Sequence, residues 1–198
     1  FRLSQFWRKD ILKAKPYLEK GKSIAKENPY IQALSYFYLG QLYVNSDLEK
    51  SEAAFMKADK ELSRFATKEA FLLRAMSWSN YGGLQQQKDH YEATADILIN
   101  KVIPLGEKSG DSLYVGRKYA DLGLMFRNLE QFDKAEEYYN RAIERLKKSP
   151  LPSSDLAEAY IYAAKNYVFL KKYALAKTML SKAKAIIVSY PESELFID

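Results

Sequence analysis

The sequence predicts an all-α fold of antiparallel helix pairs, about ten helices in all, and three observations carry that prediction. A stripe of small, large and small residues recurs at offsets of four and three: Ser51, Phe55 and Ala58; Ala135, Tyr139 and Ala142; Ala176, Leu180 and Ala183. On a helix those offsets put all three on one face. A second pattern precedes each stripe: Tyr36-x-x-Leu39-Gly40-x-x-Tyr43, Tyr119-x-x-Leu122-Gly123-x-x-Phe126 and Tyr160-x-x-Ala163-Ala164-x-x-Tyr167. A Gly or Ala flanked by aromatics is a notch that a neighbouring helix can approach closely. Third, Gly and Pro are scarce, 8 and 6 among 198 residues, which leaves too few turn residues for a β-rich chain.

Helices are expected over 4–14, 16–27, 30–45, 48–64, 66–81, 88–107, 111–128, 131–148, 153–170 and 173–188. The first two form a degenerate pair within 1–29, with Ala14, Leu18 and Gly21 as its stripe. Four pairs follow over 30–65, 66–110, 111–150 and 151–190, in a single domain spanning 1–198. Pro29, Ser109-Gly110, Pro150, Pro152 and Pro191 punctuate them. Asp111 and Asp155 suit first turns, and Lys147 and Lys148 a last turn, because the helix dipole favours those charges there. In the second pair, Phe71-x-x-Arg74-Ala75-x-x-Trp78 reads as a weaker notch and Ala95, Ile99 and Val102 as the stripe. Tyr81-Gly82-Gly83-Leu84 then reads as a connection, and Pro104 as a kink or stop. On this reading the notch residues Gly40, Ala75, Gly123 and Ala164 are 35, 48 and 41 apart. Asn45, Asn80 and Asn128 each follow a notch aromatic by two and read as helix ends, since Asn tolerates the left-handed conformation.

The combined pattern resembles the tetratricopeptide repeat: aromatic, Leu-Gly, aromatic, a turn, then Ala, a large residue and Ala. The copy from Tyr119 to Ala142 matches it at Leu122, Gly123, Phe126, Ala135 and Tyr139 as well. The resemblance implies a right-handed α-solenoid. The family repeats about every 34 residues, so these pairs are enlarged, like those in the sensor domains of bacterial signalling and transcriptional regulators. It also implies a protein- or peptide-binding module whose first helices line a concave groove. Carried over residue by residue, that groove holds Phe37, Gln41, Leu72, Met76, Arg117, Leu124, Arg127, Ile161 and Lys165, with Ala120 beside them. Members that clamp a peptide's terminal carboxylate use Lys and Asn at such points, where this sequence is mostly apolar. The other expectation is a structural scaffold that self-associates or assembles an envelope complex.

Little in the sequence carries chemistry, and no enzyme, cofactor or metal is expected. There is no cysteine, so no disulfide, thiolate site or cysteine nucleophile. The one histidine, His90, lies in the polar stretch Gln85–His90, which excludes a histidine metal cluster. Gly82-Gly83 reads as a turn, not a phosphate loop. Asp133 and Glu136-Glu137 read as solvated, with Glu137 and Arg141 as a helical i,i+4 pair. The net charge is +6, and residues 1–28 hold Arg2, Arg8, Lys9, Lys13, Lys15, Lys20, Lys22 and Lys26 against Asp10, Glu19 and Glu27. That reads as a solvated lysine-rich face, so nucleic-acid binding is not expected. No run of about 18 apolar residues could span a membrane. The chain opens at Phe1 without Met and stops at Asp198, and it reads as a processed protein or a piece of a longer one.

Overall fold

The structure, a computed structural model, describes residues 13, 15–20, 28–149 and 153–189. Among them there is no strand. Residues 15–20 are helical, and nine helices follow: α1 Pro29–Tyr43, α2 Leu48–Leu62, α3 Lys68–Gln86, α4 Tyr91–Ile97, α5 Ile103–Ser109, α6 Ser112–Asn128, α7 Phe132–Leu146, α8 Ser154–Phe169 and α9 Tyr173–Ser189. A π-helical turn, Leu98–Val102, joins α4 to α5. Of the stripe expected in the first pair, Ala14 and Gly21 lie outside the described residues, as do Pro150, Pro152 and Pro191.

The helices start where the sequence supplies a cap. Asn28, Asp47, Thr67, Asp111 and Ser153 each accept a hydrogen bond from the backbone N–H three residues on. Each satisfies a donor that the first helical turn leaves open.

The chain divides into two compact units, Phe1–Ser109 and Gly110–Asp198. In the first, α1 packs on α2, α2 on α3, and α3 on α4, the π turn and α5. In the second, α6 packs on α7, α7 on α8, and α8 on α9. The notches work as expected. A Cβ on Gly40 would lie 2.6 Å from the Phe55 ring, and one on Gly123 would lie 2.7 Å from Tyr139. Phe55 and Tyr139 are fully buried.

The second pair departs from its expected register. α3 runs through Tyr81-Gly82-Gly83-Leu84, so that segment is helix rather than connection, and Asn80 is mid-helix rather than a cap. The notch is Gly82, not Ala75. Thr94 Oγ1 donates to the Gly82 carbonyl at 3.1 Å, as Ser51 Oγ donates to Gly40 at 2.8 Å. Leu98 and Val102 are buried below it, while Ile99 is exposed. The matching pattern is therefore Trp78-x-x-Tyr81-Gly82, seven residues beyond the one read from sequence. Seven residues are nearly two helical turns, so both patterns share a face and spacing alone does not separate them.

With Gly82 in place, the notches at Gly40, Gly82, Gly123 and Ala164 are 42, 41 and 41 residues apart. The turns between paired helices keep the same period. Asp89, Glu130 and Lys171 have φ of 59°, 57° and 56°. The next N–H in each case, from His90, Gln131 and Lys172, donates to the carbonyl five residues back, on Gln85, Phe126 and Tyr167. This is the left-handed Schellman ending of a helix. Pro104 does not stop its helix, which continues to Ser109. Proline lacks an N–H and crowds the carbonyl four residues back. The helix widens just before it, and Ile103 N–H donates to Leu98 O, five residues away.

Candidate functional site

The expected groove residues fall in both units. In the first, Phe37 is 2% exposed and packs with Phe55, Ala58 and Leu84. It is core, so it offers no contact area to a partner. Met76 is half-buried and packs against that same cluster. Leu72 and Gln41 are half-buried on α3 and α1.

In the second unit Ala120 is also core. Leu124 and Ile161 are half-buried, on α6 and α8. Arg117 Nη1 pairs with Asp155 at 3.3 Å. Arg127 and Lys165 come together with Asn128 and Glu130 around a cleft of about 590 Å³ at the C-terminal ends of α6 and α8. Phe132, Val168 and Phe169 complete its lining. The Phe132 and Phe169 rings stack at 4.9 Å with 6° between planes. Phe169 is 60% exposed and Val168 51%. Buried Asn166 fixes this geometry by donating from Nδ2 to the Phe132 carbonyl at 2.9 Å, which ties α8 to the start of α7. The Lys172–Glu136 pair at 2.5 Å adds a second tie. Among the described residues, no carboxylate lies within ion-pair distance of Arg127 or Lys165.

The groove expected from the sequence includes the two cations but not Phe132, Val168 or Phe169. The missing signal was a comparison between repeats: Val168-Phe169 stands where the second pair has Gln86-Gln87. That comparison needs the Gly82 register.

The cleft lining combines apolar side chains with two cations, an amide and a carboxylate. No cluster of three or more His, Cys, Asp or Glu that could hold a metal occurs among the described residues. His90 is exposed at the start of α4, with Nδ1 3.3 Å from Gln85 Oε1. Burial pushes the Tyr139 phenol up to about 12. Tyr162 is also raised, by burial and by donating to Glu158. No described helix is long and apolar enough to cross a membrane.

A family model described as tetratricopeptide repeat matches residues 107–187. Residues 107–187 are thus similar to the tetratricopeptide repeat. Solved structures share the fold of these repeats. The apo form of RapI is similar at a TM-score of 0.80 and 17% identity, over 94% of this chain and 51% of that one. BtubC (BKLC) from P. vanneervenii is similar at 0.77 and 17%, over 91% and 74%. MamA is similar at 0.61 and 19%, over 100% of both chains. The chain thus spans about half the length of RapI. No curated protein matches it in sequence.

Proposed function

We propose that the tetratricopeptide repeats form a peptide- or protein-binding module, the sensing part of a bacterial signalling or transcriptional regulator. The observation that carries the reading is the second unit's surface on α6 and α8. Half-buried Leu124 and Ile161 lie on the same two helices as Arg127 and Lys165, which flank a cleft. Apolar area that loses water on contact holds a partner, and rim cations steer its approach. Fold alone does not choose among such functions.

The test is to pan a random-peptide display library against the chain and measure the recovered peptides. Saturable binding at micromolar strength is expected. Leu124→Asp should weaken it by about tenfold or more, because a charge would have to desolvate in the contact. Melting curves check that the variant stays folded. No saturable peptide, or binding indifferent to both Leu124→Asp and Ile161→Asp, would overturn the reading. The sensing part predicts altered hydrogen exchange beyond the contacted residues. Protection confined to the contact would make this a static binder.

A scaffold reading draws on α9. Tyr173, Leu180 and Val188 are 63%, 51% and 69% exposed there. Leu180 stands at the stripe position where Phe55 and Tyr139 are buried. If that face self-associates, sedimentation will show dimers that Leu180→Glu dissolves.

A further inference from the structure

We propose that the cleft at the ends of α6 and α8 takes an internal peptide motif: one bulky apolar side chain with an Asp or Glu side chain within a few residues of it. The proposal rests on the peptide-binding reading above and names the chemistry of the partner. Its apolar half follows from the Phe132–Phe169 stack and Val168, which leave an open, largely apolar wall. The volume of about 590 Å³ falls within the roughly 300–1,000 Å³ of ligand sites and has room for an aromatic ring. Its acidic half follows from Arg127 and Lys165, which line the cleft without a carboxylate in ion-pair reach among the described residues. A purely apolar guest would strip water from two cations and leave them unpaired, which is costly. A basic guest would be repelled. Glu130 lines the same cleft and disfavours a strongly anionic guest such as a phosphate. One carboxylate beside one apolar group satisfies every wall.

The other unit shows that the fold does not require these residues. Gly82 and Ala164 are equivalent notches, and Asp89 and Lys171 are equivalent left-handed turn residues. Lys165, Val168 and Phe169 therefore correspond to Gly83, Gln86 and Gln87. The second pair makes the same turn with Gly and two Gln. An exposed Val-Phe pair and a cation at these places serve something other than closing the turn.

The probes are labelled peptides with both ends blocked, so that no terminal carboxylate is present. One carries Trp and Asp separated by one to three Gly or Ser residues. Controls carry Trp with Lys, and Ala with Asp. Fluorescence polarisation should show the Trp/Asp peptides binding about tenfold or more tighter than either control, with affinity falling as salt rises. In the Arg127→Glu/Lys165→Glu variant the order of Trp/Asp and Trp/Lys should reverse. Arg127→Gln/Lys165→Gln should bring the two together, and it serves if the double reversal fails to fold. Phe169→Ser should weaken the Trp peptides and leave Ala/Asp unchanged. Equal binding of Trp/Asp and Trp/Lys, an order unchanged in both charge variants, or no saturable binding of Trp/Asp overturns the proposal. Library peptides that still depend on Leu124 would then leave the broader peptide-binding reading standing.

Discussion

The second and third repeats are cut to the same length, yet they hold their paired helices together by different means. In the third, Gly123 lets the Tyr139 ring come to 2.7 Å from where a Cβ would sit, so contact is made by packing. In the second, the nearest atoms to a Cβ on Gly82 are Ile97 Cγ2 at 3.6 Å and Thr94 Cγ2 at 3.7 Å. There the Thr94 hydroxyl bonds to the Gly82 carbonyl and fixes the spacing. The same notch residue is a steric necessity in one repeat and a remnant of the pattern in the other. The distance across the notch, not the presence of glycine in the motif, decides which.

Alanine at both glycines breaks or sharpens that contrast, and it carries the largest expected effect. Gly123→Ala would push a Cβ into a ring that is fully buried and has little room to yield. Overpacking of this kind costs about 1–3 kcal/mol. Gly82→Ala meets only ordinary van der Waals distances. It should be neutral or stabilise by up to about 1 kcal/mol, because Ala is the better helix former. Chemical denaturation of both variants checks this. Equal losses would mean that the two notches are equally tight.

A second contrast lies in the buried phenols. In the second unit, burial raises Tyr139, Tyr162 and Tyr167 above the ordinary tyrosine value, Tyr139 to about 12. In the first unit Tyr91 is raised, chiefly through its hydrogen bond to Asp89, with burial the smallest cause. The folded state favours the neutral phenol. Its contribution is fully present below about pH 10, the unfolded value, and is lost as pH rises towards 12. Alkaline unfolding should therefore begin in the second unit. Tyr139→Phe should reduce that loss. The Tyr139 hydroxyl is buried without a hydrogen-bond partner among the described residues. Removing it should be neutral or stabilising by about 1 kcal/mol at neutral pH. Melting temperatures at pH 8 and pH 11 for both proteins decide it. A Tyr139→Phe protein that loses as much as the parent would place the alkaline sensitivity elsewhere.

How much of this was legible in the sequence differs between the units for a physical reason. The third repeat shows its residues openly, because packing uses large side chains at fixed offsets, as Tyr119, Phe126 and Tyr139 do. The second hides its register, because its stripe of Thr94 and Leu98 ends on Lys101, where the other pairs have Ala58, Ala142 and Ala183. Ala75 and Gly82 lie on one helical face two turns apart, so the sequence gives no angular cue for choosing between them. The π turn is half legible. Pro104 announces a disturbance, but whether a helix kinks, stops or widens depends on its neighbours. Of the cleft, the charges could be read and the aromatic wall could not. Phe132 and Phe169 are 37 residues apart and meet only when α7 packs on α8.

The smallest expected effect separates the turns. The second, third and fourth repeats end their first helix on a left-handed Asp89, Glu130 or Lys171. In the first repeat the notch and the stripe, Gly40 and Ser51, are one residue closer in sequence than Gly123 and Ala135, and none of Val44, Asn45 or Ser46 has positive φ. A non-glycine residue in the left-handed region costs roughly 1 kcal/mol that glycine avoids. Glycine also loses more freedom on folding, which takes back part of the gain. Lys171→Gly should therefore stabilise by about 0.5 kcal/mol. Asp89→Gly should gain less, because the Asp89 carboxylate accepts the Tyr91 hydroxyl bond at 2.8 Å. Asn45→Gly should instead lose about 0.5 kcal/mol, since its backbone needs no left-handed residue and only the entropic cost remains. Denaturation midpoints of the three variants test the order. A gain at Asn45 equal to that at Lys171 would show that the turns respond to glycine in general, and that the left-handed residue is not what sets the second, third and fourth repeats apart from the first.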